Sequence, residues 1–261
     1  MEMMGLFRSE VYQIRKTLAV KMLFLFVLFT SVFIGIRETG ANYTAEIKES
    51  GWDDLLYGGG SLLSSMKDYS LAILLASLLA GWILASSFET RTIQEAVSYG
   101  KSRTKVYLVK IITYFIVSLL ICLVLWTGQN IFIFIKNGTG TQEVVGNLSQ
   151  WGYIAGMVFA GSLAYLSIFA ICGVVAFITQ KTSVTMGIGI IGIAIGFNII
   201  TSVMPEPLLK IISYTPAGLC QQVLELNVSY SDIIKTSCIS VVWIIAICAA
   251  GLWKFKRAEL K

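Results

Sequence analysis

The chain contains six stretches of mainly apolar residues, each long enough to cross the hydrocarbon core of a membrane, which takes about 20 residues in a helix. The stretches are 18–36, 69–88, 111–135, 151–178, 186–204 and 236–253. Because a backbone embedded in lipid must satisfy its hydrogen bonds within the segment, they predict transmembrane helices. We therefore expect an all-α, polytopic membrane protein in which residues 1–261 form a single transmembrane domain.

The composition argues against a catalytic or metal site. Hydrophobic residues make up 56% of the 261 residues and charged residues only 13%, against about 25% charged in soluble proteins. Histidine is absent, which removes the commonest metal ligand and general base. Four of the five cysteines lie in apolar stretches, Cys220 lies in a loop, and none has the spacing of a metal site. We expect no enzyme activity and no cofactor in this chain.

The basic residues are distributed unevenly between the loops. If the N-terminus is inside the cell, fourteen Lys and Arg residues fall on the cytoplasmic side and five on the outer side. The positive-inside rule therefore predicts that both termini are cytoplasmic. Because this asymmetry also accounts for the net charge of +5, the charge gives no reason to expect nucleic acid as a partner.

Two segments outside the spans have amphipathic character. Residues 5–17 are predicted to form a helix at the membrane interface, leading into the first span. Its apolar side is formed by Phe7, Val11, Ile14 and Leu18. After the fifth span, Pro205 and Pro207 break the helix, and residues 205–232 are expected to form an outer amphipathic or re-entrant segment.

The loop between the second and third spans is the only sizeable cytoplasmic loop. Thr92, followed three residues later by Glu95, predicts a capping box, and Gly100 predicts a helix end in the left-handed conformation. The predicted helix covers residues 92–99. Its apolar side consists of Ile93, Ala96 and Val97 and continues at Gly100. So short a helix needs a surface to pack against, which is either the lipid surface or a groove on a cytoplasmic partner.

This loop and its flanks carry a series of short motifs. They are Glu89, Thr92-Ile93, Ser98-Tyr99-Gly100, Ser102-Arg103 and the stretch from Tyr107 to Lys110. The series resembles the membrane subunits of ABC-2 type ABC transporters, particularly the compact Gram-positive permeases associated with lantibiotic and peptide export or immunity. The resemblance extends to the whole arrangement of a basic amphipathic start, six spans and an outer segment after the fifth.

The resemblance implies that helix 92–99 is a coupling helix, which docks on a separately encoded ABC ATPase. The residues implied in coupling are Glu89, Thr92, Ile93, Glu95, Val97, Gly100, Arg103 and Lys110. Glu89 and Arg103 are expected to hold the coupling helix against the first interfacial helix. Two ATPase copies would bind ATP and Mg²⁺, since this chain has no Gly-x-x-x-x-Gly-Lys-Ser/Thr phosphate-binding motif. A second permease, identical or homologous, and a bacterial cytoplasmic membrane location are implied as well.

Spans two and five are rich in small residues, and Gly192 and Gly196 form a GxxxG pair that allows close helix approach. In related transporters these two spans face a central cavity. The residues expected to line it are Ser77, Trp82, Asn130, Asn198 and Thr201.

The resemblance therefore predicts the permease subunit of an ATP-driven exporter. The expected cargo is amphipathic or hydrophobic, with an antimicrobial or toxin peptide favoured. No acidic residue lies in a span core, which argues against a secondary transporter because a proton or cation relay would have no carriers. The alternative is a non-transporting membrane sensor or assembly protein that recruits a cytoplasmic partner through its basic loop.

Overall fold

The computed structural model describes residues 2–39, 58–67, 69–138, 150–195, 213–223 and 229–257. All regular secondary structure in these ranges is helical. Five helices are long and apolar enough to cross a membrane: Leu18–Glu38, Ser70–Glu89, Arg103–Lys136, Ile154–Thr179 and Tyr230–Arg257. The prediction of an all-α, polytopic membrane protein is confirmed.

The predicted fifth span, 186–204, is described only as far as residue 195. Its beginning belongs to a shorter apolar helix, Thr182–Gly192, and residues 196–212 lie outside the described ranges. Six spans therefore stay a prediction.

The helices are numbered in chain order. The regular ones are α1 (Glu2–Lys16), α2 (Leu18–Glu38), α3 (Gly58–Lys67), α5 (Thr92–Ser98), α6 (Arg103–Asn137), α7 (Gln150–Thr179), α9 (Pro216–Val223) and α10 (Tyr230–Arg257). Two others contain π-helical turns. Helix α4 consists of Tyr69–Leu79, the π-helical turns Ala80–Ala85 and Ser86–Glu89, and α8 consists of Thr182–Gly187 and the π-helical turns Ile188–Ile195.

Helices α1 and α2 are separated by a break at Thr17. This residue has an extended backbone, with φ −68° and ψ 111°, which ends the helical hydrogen-bond pattern. Helix α1 packs against α6, with Ile14 against the apolar core. Leu18 is 71% exposed. The expectation that it continues the apolar side of the interfacial helix is wrong, because the break gives α2 a different orientation.

Helix α6 is the central helix of the bundle. It packs against α1, α2, α3, α4, α5, α7 and α10. Its 35 residues correspond to a length of about 52 Å at 1.5 Å per residue, more than the roughly 30 Å of membrane hydrocarbon. Its first turns therefore extend beyond the predicted span 111–135 and reach α5.

Helices α4 and α8 lie against each other through two glycines, one in the π-helical turns of each helix. A Cβ atom on Gly81 would lie 2.7 Å from side-chain carbons of Met186, and one on Gly189 would overlap the side chain of Ser77. A side chain at Gly189 would displace Ser77 and one at Gly81 would displace the side chain of Met186, so both glycines allow a close approach of the two helices. Of the predicted GxxxG pair, Gly192 makes no close approach, because a Cβ on it would meet nothing closer than 3.8 Å, and Gly196 lies outside the described residues.

Four aromatic side chains join four helices at the end of the bundle that carries α5. They are Phe88 of α4, Tyr107 of α6, Phe177 of α7 and Phe255 of α10, and their ring centroids lie 4.6–6.2 Å apart in five pairs. The hydroxyl of Tyr107 also donates a hydrogen bond to the α10 backbone, at 3.0 Å. Aromatic pairs at such distances add to the energy of burial, so this cluster holds the four helix ends together.

The expected outer segment 205–232 is described at 213–223 and 229–232. Its helix α9 packs against α7 and α10, and Leu219 and Cys220 are fully buried. Cys220 therefore lies in a buried helix, and the sequence-based assignment of this residue to a loop is wrong. The described part of the segment folds back onto the bundle.

Candidate functional site

Helix α5 begins after a left-handed residue at the end of α4. Arg91 has φ 59°, which is uncommon for a residue with a Cβ atom, and its carbonyl accepts the hydrogen bond of the Glu95 N–H at 3.0 Å. Arg91 is therefore the N-cap residue. The hydroxyl of Thr92 donates to the carbonyl of Ser87 at 3.1 Å. The predicted capping box is wrong, because Thr92 lies inside the helix and its hydroxyl faces α4.

The C-terminal end of α5 has the conformation that the sequence predicts. Gly100 has φ 80°, and its N–H donates to the carbonyl of Val97 at 3.0 Å. The N–H of Lys101 donates to the carbonyl of Ala96 at 3.2 Å. This pair of bonds is a Schellman motif, in which a glycine is favoured at the left-handed position. The prediction that Gly100 ends the helix is confirmed.

The apolar side of α5 faces its own bundle. Ile93 is fully buried, and Ala96 and Val97 are half-buried against the same core. The expectation that Ile93 and Val97 enter a groove on a partner is wrong for Ile93, because packing within the chain leaves none of its surface accessible. The exposed side consists of Arg91, Glu95, Ser98 and Tyr99, of which Tyr99 is 84% exposed.

A buried ammonium group lies beside the base of α5. Lys110 of α6 is only 2% exposed, and its Nζ lies 2.8 Å from both carboxylate oxygens of Glu10 in α1. It also donates a hydrogen bond to the hydroxyl of Ser87 in α4 at 3.0 Å. A buried charge is tolerated only when it is paired and hydrogen-bonded. The ammonium of Lys110 thus connects α1, α4 and α6. Its contact in α4 is Ser87, whose backbone carbonyl also accepts the hydrogen bond from the hydroxyl of Thr92.

Glu89 connects the end of α4 to α8. Its carboxylate accepts hydrogen bonds from the backbone N–H and from the hydroxyl of Thr182, both at 2.8 Å. Thr182 is the first residue of α8. A carboxylate at a helix N-terminus satisfies a free N–H group and interacts favourably with the helix dipole. An acidic side chain of α4 therefore caps α8.

Arg103 lies at the start of α6, and its guanidinium donates a hydrogen bond to the backbone carbonyl of Lys256 in α10 at 3.1 Å. The expectation that Glu89 and Arg103 hold α5 against the interfacial helix is wrong. Glu89 reaches α8 and Arg103 reaches α10, whereas the contact to α1 is made by Lys110.

Sequence reasoning did not identify Glu10, Ser87 and Thr182 as members of this site. One signal for Glu10 was present: it lies three residues after Phe7 and four before Ile14, so it is an acidic residue on the apolar side of an amphipathic helix. Ser87 and Thr182 carry no comparable signal, since each acts through helix contacts that are distant in sequence.

The residues expected to line a cavity have different surroundings. Ser77 is fully buried, and its hydroxyl donates to the carbonyl of Ile73 at 2.7 Å. Asn130 is fully buried as well, and its Nδ2 donates to the hydroxyl of Ser65 at 3.0 Å. Because both face helices of their own chain, neither lines a space between two copies. Asn198 and Thr201 lie outside the described residues.

Trp82 has a more open environment. It lies in the wall of a cavity of about 380 Å³ between α1 and the end of α4. The polar side chains of this wall include Glu10, Gln13, Ser86, Ser87, Thr90 and Thr92. The cavity therefore lies between the interfacial helix and the base of α5.

The described residues contain no group of three or more Cys, Asp or Glu side chains placed to hold a metal ion.

No curated protein was found to match the chain. The family described as "ABC-2 family transporter protein" matches residues 48–254, which is most of the chain and includes α5 together with Glu89, Arg103 and Lys110. Membrane subunits of this family transport and do not catalyse, and they pair with ABC ATPase subunits. The chain belongs to the ABC-2 transporter family and is the multi-pass permease component of such a transporter.

Proposed function

We propose that the chain is the permease subunit of an ATP-driven exporter, in which two permeases, identical or homologous, assemble with two ABC ATPase subunits. ATP and Mg²⁺ would bind to the ATPases. One observation carries this proposal: α5 presents a polar, exposed side with Tyr99 at its end, while its opposite side is bonded to the ends of the membrane helices. A helix placed in this way can receive a partner and pass its movement to the bundle.

The contacts around α5 define the path of that movement. Glu89 connects α4 to α8, Lys110 connects α4 and α6 to α1, and Arg103 connects α6 to α10. Close-packed interiors have low compressibility and transmit displacement. Tilting of α5 by an ATPase would therefore shift the ends of α1, α4, α6, α8 and α10 together.

For the ATPase to reach α5, this end of the bundle must face the cytoplasm, with both termini on the same side. The basic-residue asymmetry supports this orientation, and we propose that the membrane is the bacterial cytoplasmic membrane. Lys181 is exposed and precedes the residue that Glu89 binds. With Cys238 replaced by Ser, a Lys181→Cys variant in intact cells should not react with a membrane-impermeant thiol reagent until the cells are opened. Labelling from the outside would contradict the orientation.

We propose an amphipathic or hydrophobic cargo, with an antimicrobial or toxin peptide as the favoured class. Among the described residues no Asp or Glu is fully buried, which does not suit cation- or proton-coupled transport. Trp82, Asn198 and Thr201 remain the proposed cargo contacts.

Susceptibility of cells to peptides tests this function. Cells that express the chain with its ATPase partner should tolerate a cationic lantibiotic at a higher concentration than cells without the pair. Replacing the phosphate-binding Lys of the ATPase should remove this protection. If peptide accumulation in the cell envelope is the same with and without the active ATPase, the chain does not export this class. A partner that binds while no tested peptide or hydrophobic dye is moved would favour the sensor or assembly alternative.

A further inference from the structure

A groove runs along the outside of the bundle between α2 and α6, next to the break between α1 and α2. Its volume is about 490 Å³. Buried Val20 and Ile121 form its floor. Its walls are formed by Phe24, Leu25, Val117 and Leu120. All of these side chains are apolar, so the groove offers a surface suited to a hydrocarbon chain.

Two basic side chains line the same groove at the end near the break. Arg15 belongs to the last turn of α1 and Lys21 to the first turn of α2, and both are exposed. Within the described ranges, neither side chain has a hydrogen bond, an ion pair or a ring contact. A long basic side chain keeps its head group at the membrane surface while its stem lies along apolar surface. These two cations are therefore free to bind an anion at the level of the lipid head groups.

The N-terminus of α2 adds to this positive potential. Thr17 provides no side-chain cap, and the first turn of α2 contains no acidic residue. The partial positive charge of the helix N-terminus consequently has no anionic side chain of its own helix beside it.

We propose that this groove binds an anionic phospholipid, whose acyl chain lies against α2 and α6 and whose phosphate is held by Arg15 and Lys21. The combination of an apolar groove with a cationic end matches a ligand that has a hydrocarbon tail and a negatively charged head. A second copy of this chain fits less well. A symmetric contact across the groove would bring the same two cations of both copies together, and like charges oppose association.

Native mass spectrometry of the purified full chain tests the proposal. The chain is titrated with phosphatidylglycerol or with phosphatidylcholine of identical acyl chains. The test variant is Arg15→Gln with Lys21→Gln. The matched control is Arg8→Gln with Lys254→Gln, which removes the same net charge from exposed positions outside the groove. A third variant, Leu120→Trp, narrows the groove and leaves both cations in place.

We expect wild-type chain to bind phosphatidylglycerol in preference to phosphatidylcholine. Since a basic residue near the surface contributes roughly fivefold to binding of anionic lipid, removal of both should lower phosphatidylglycerol occupancy roughly 10- to 30-fold. The control should retain most of its binding, and Leu120→Trp should lower occupancy with the charges intact. If the double variant Arg15→Gln, Lys21→Gln does not fold, the lipid occupancy of Leu120→Trp alone tests the proposal.

Three results would overturn the proposal. The first is an equal loss of phosphatidylglycerol occupancy in the variant Arg15→Gln, Lys21→Gln and in the control, which would show that binding depends only on the overall charge. The second is the absence of a preference for the anionic lipid. The third is a change in the dimer fraction with unchanged lipid occupancy, which would make the groove a contact between copies. None of these measurements requires transport or an ATPase, so the result is independent of the proposed function.

Discussion

Replacement of Glu10 by Gln should destabilise the folded chain by about 3 kcal/mol or more, the usual cost of removing one partner from a buried ion pair. The variant leaves the ammonium of Lys110, which is 2% exposed, without a counter-charge, because the amide that replaces the carboxylate is neutral and the Ser87 hydroxyl at 3.0 Å is neutral as well. Equilibrium unfolding of the purified chain in mixed micelles, followed by tryptophan fluorescence on addition of a denaturing detergent, measures the change.

The double variant Glu10→Gln, Lys110→Met should recover most of this loss, because it removes the buried charge together with its partner. Glu95→Gln serves as the matched control, since Glu95 is exposed on α5 and surface substitutions usually stay within about 0.5 kcal/mol. The connection between α1 and α6 would be unimportant for stability if Glu10→Gln cost no more than the control. It would also be contradicted if the double variant were as unstable as the single one.

Replacement of Tyr99 by Ala should abolish co-purification of the ATPase partner while the chain keeps its stability. Tyr99 is 84% exposed, so its loss leaves no cavity in the permease. Tyrosine is common among the residues that dominate interfaces, where truncation costs about 2 kcal/mol or more, or roughly 30-fold in affinity. The measurement is the amount of ATPase retained on the affinity-tagged permease, together with the unfolding midpoint of each variant.

Tyr214→Ala is the matched control. Tyr214 is also an exposed tyrosine, at 50%, but it belongs to the segment predicted to lie on the outer side of the membrane. It should retain the ATPase. Ile93→Asp should behave differently from both: it places a charge at a fully buried position and should prevent folding, at a cost of several kcal/mol. If Tyr99→Ala retained the ATPase in normal amount, α5 would not be the docking element.

Much of the fold could be predicted because membrane helices are encoded locally. A run such as 111–135 has to be helical in lipid, and Gly100 marks the end of α5 because few other residues adopt a positive φ there. The direction in which α5 turns its apolar side was not predictable in the same way. Ile93 and Val97 define an apolar side on any helical wheel, but whether that side meets the chain's own bundle or a partner depends on the path of the chain at Arg91.

The contacts of the charged residues near α5 could not be predicted from the sequence either. Glu89, Arg103 and Lys110 were all identified near α5, yet each binds a helix that is remote in sequence. Their partners are a helix N-terminus at Thr182, the backbone carbonyl of Lys256 and the side chain of Glu10. Two of these three contacts involve backbone groups, which every residue possesses. Sequence therefore indicates that the charges matter but does not show what they hold.

The central claim is that α5 docks on an ABC ATPase, and site-specific photocrosslinking at position 99 tests it most directly. A photoreactive phenylalanine analogue replaces Tyr99 in the full chain, which is expressed with its ATPase in cells and irradiated. We expect a crosslinked product with the mass of one permease and one ATPase, and no such product when the analogue replaces Tyr214. A complex that co-purifies but gives no crosslink at position 99, or crosslinks equally at both positions, would contradict docking through α5.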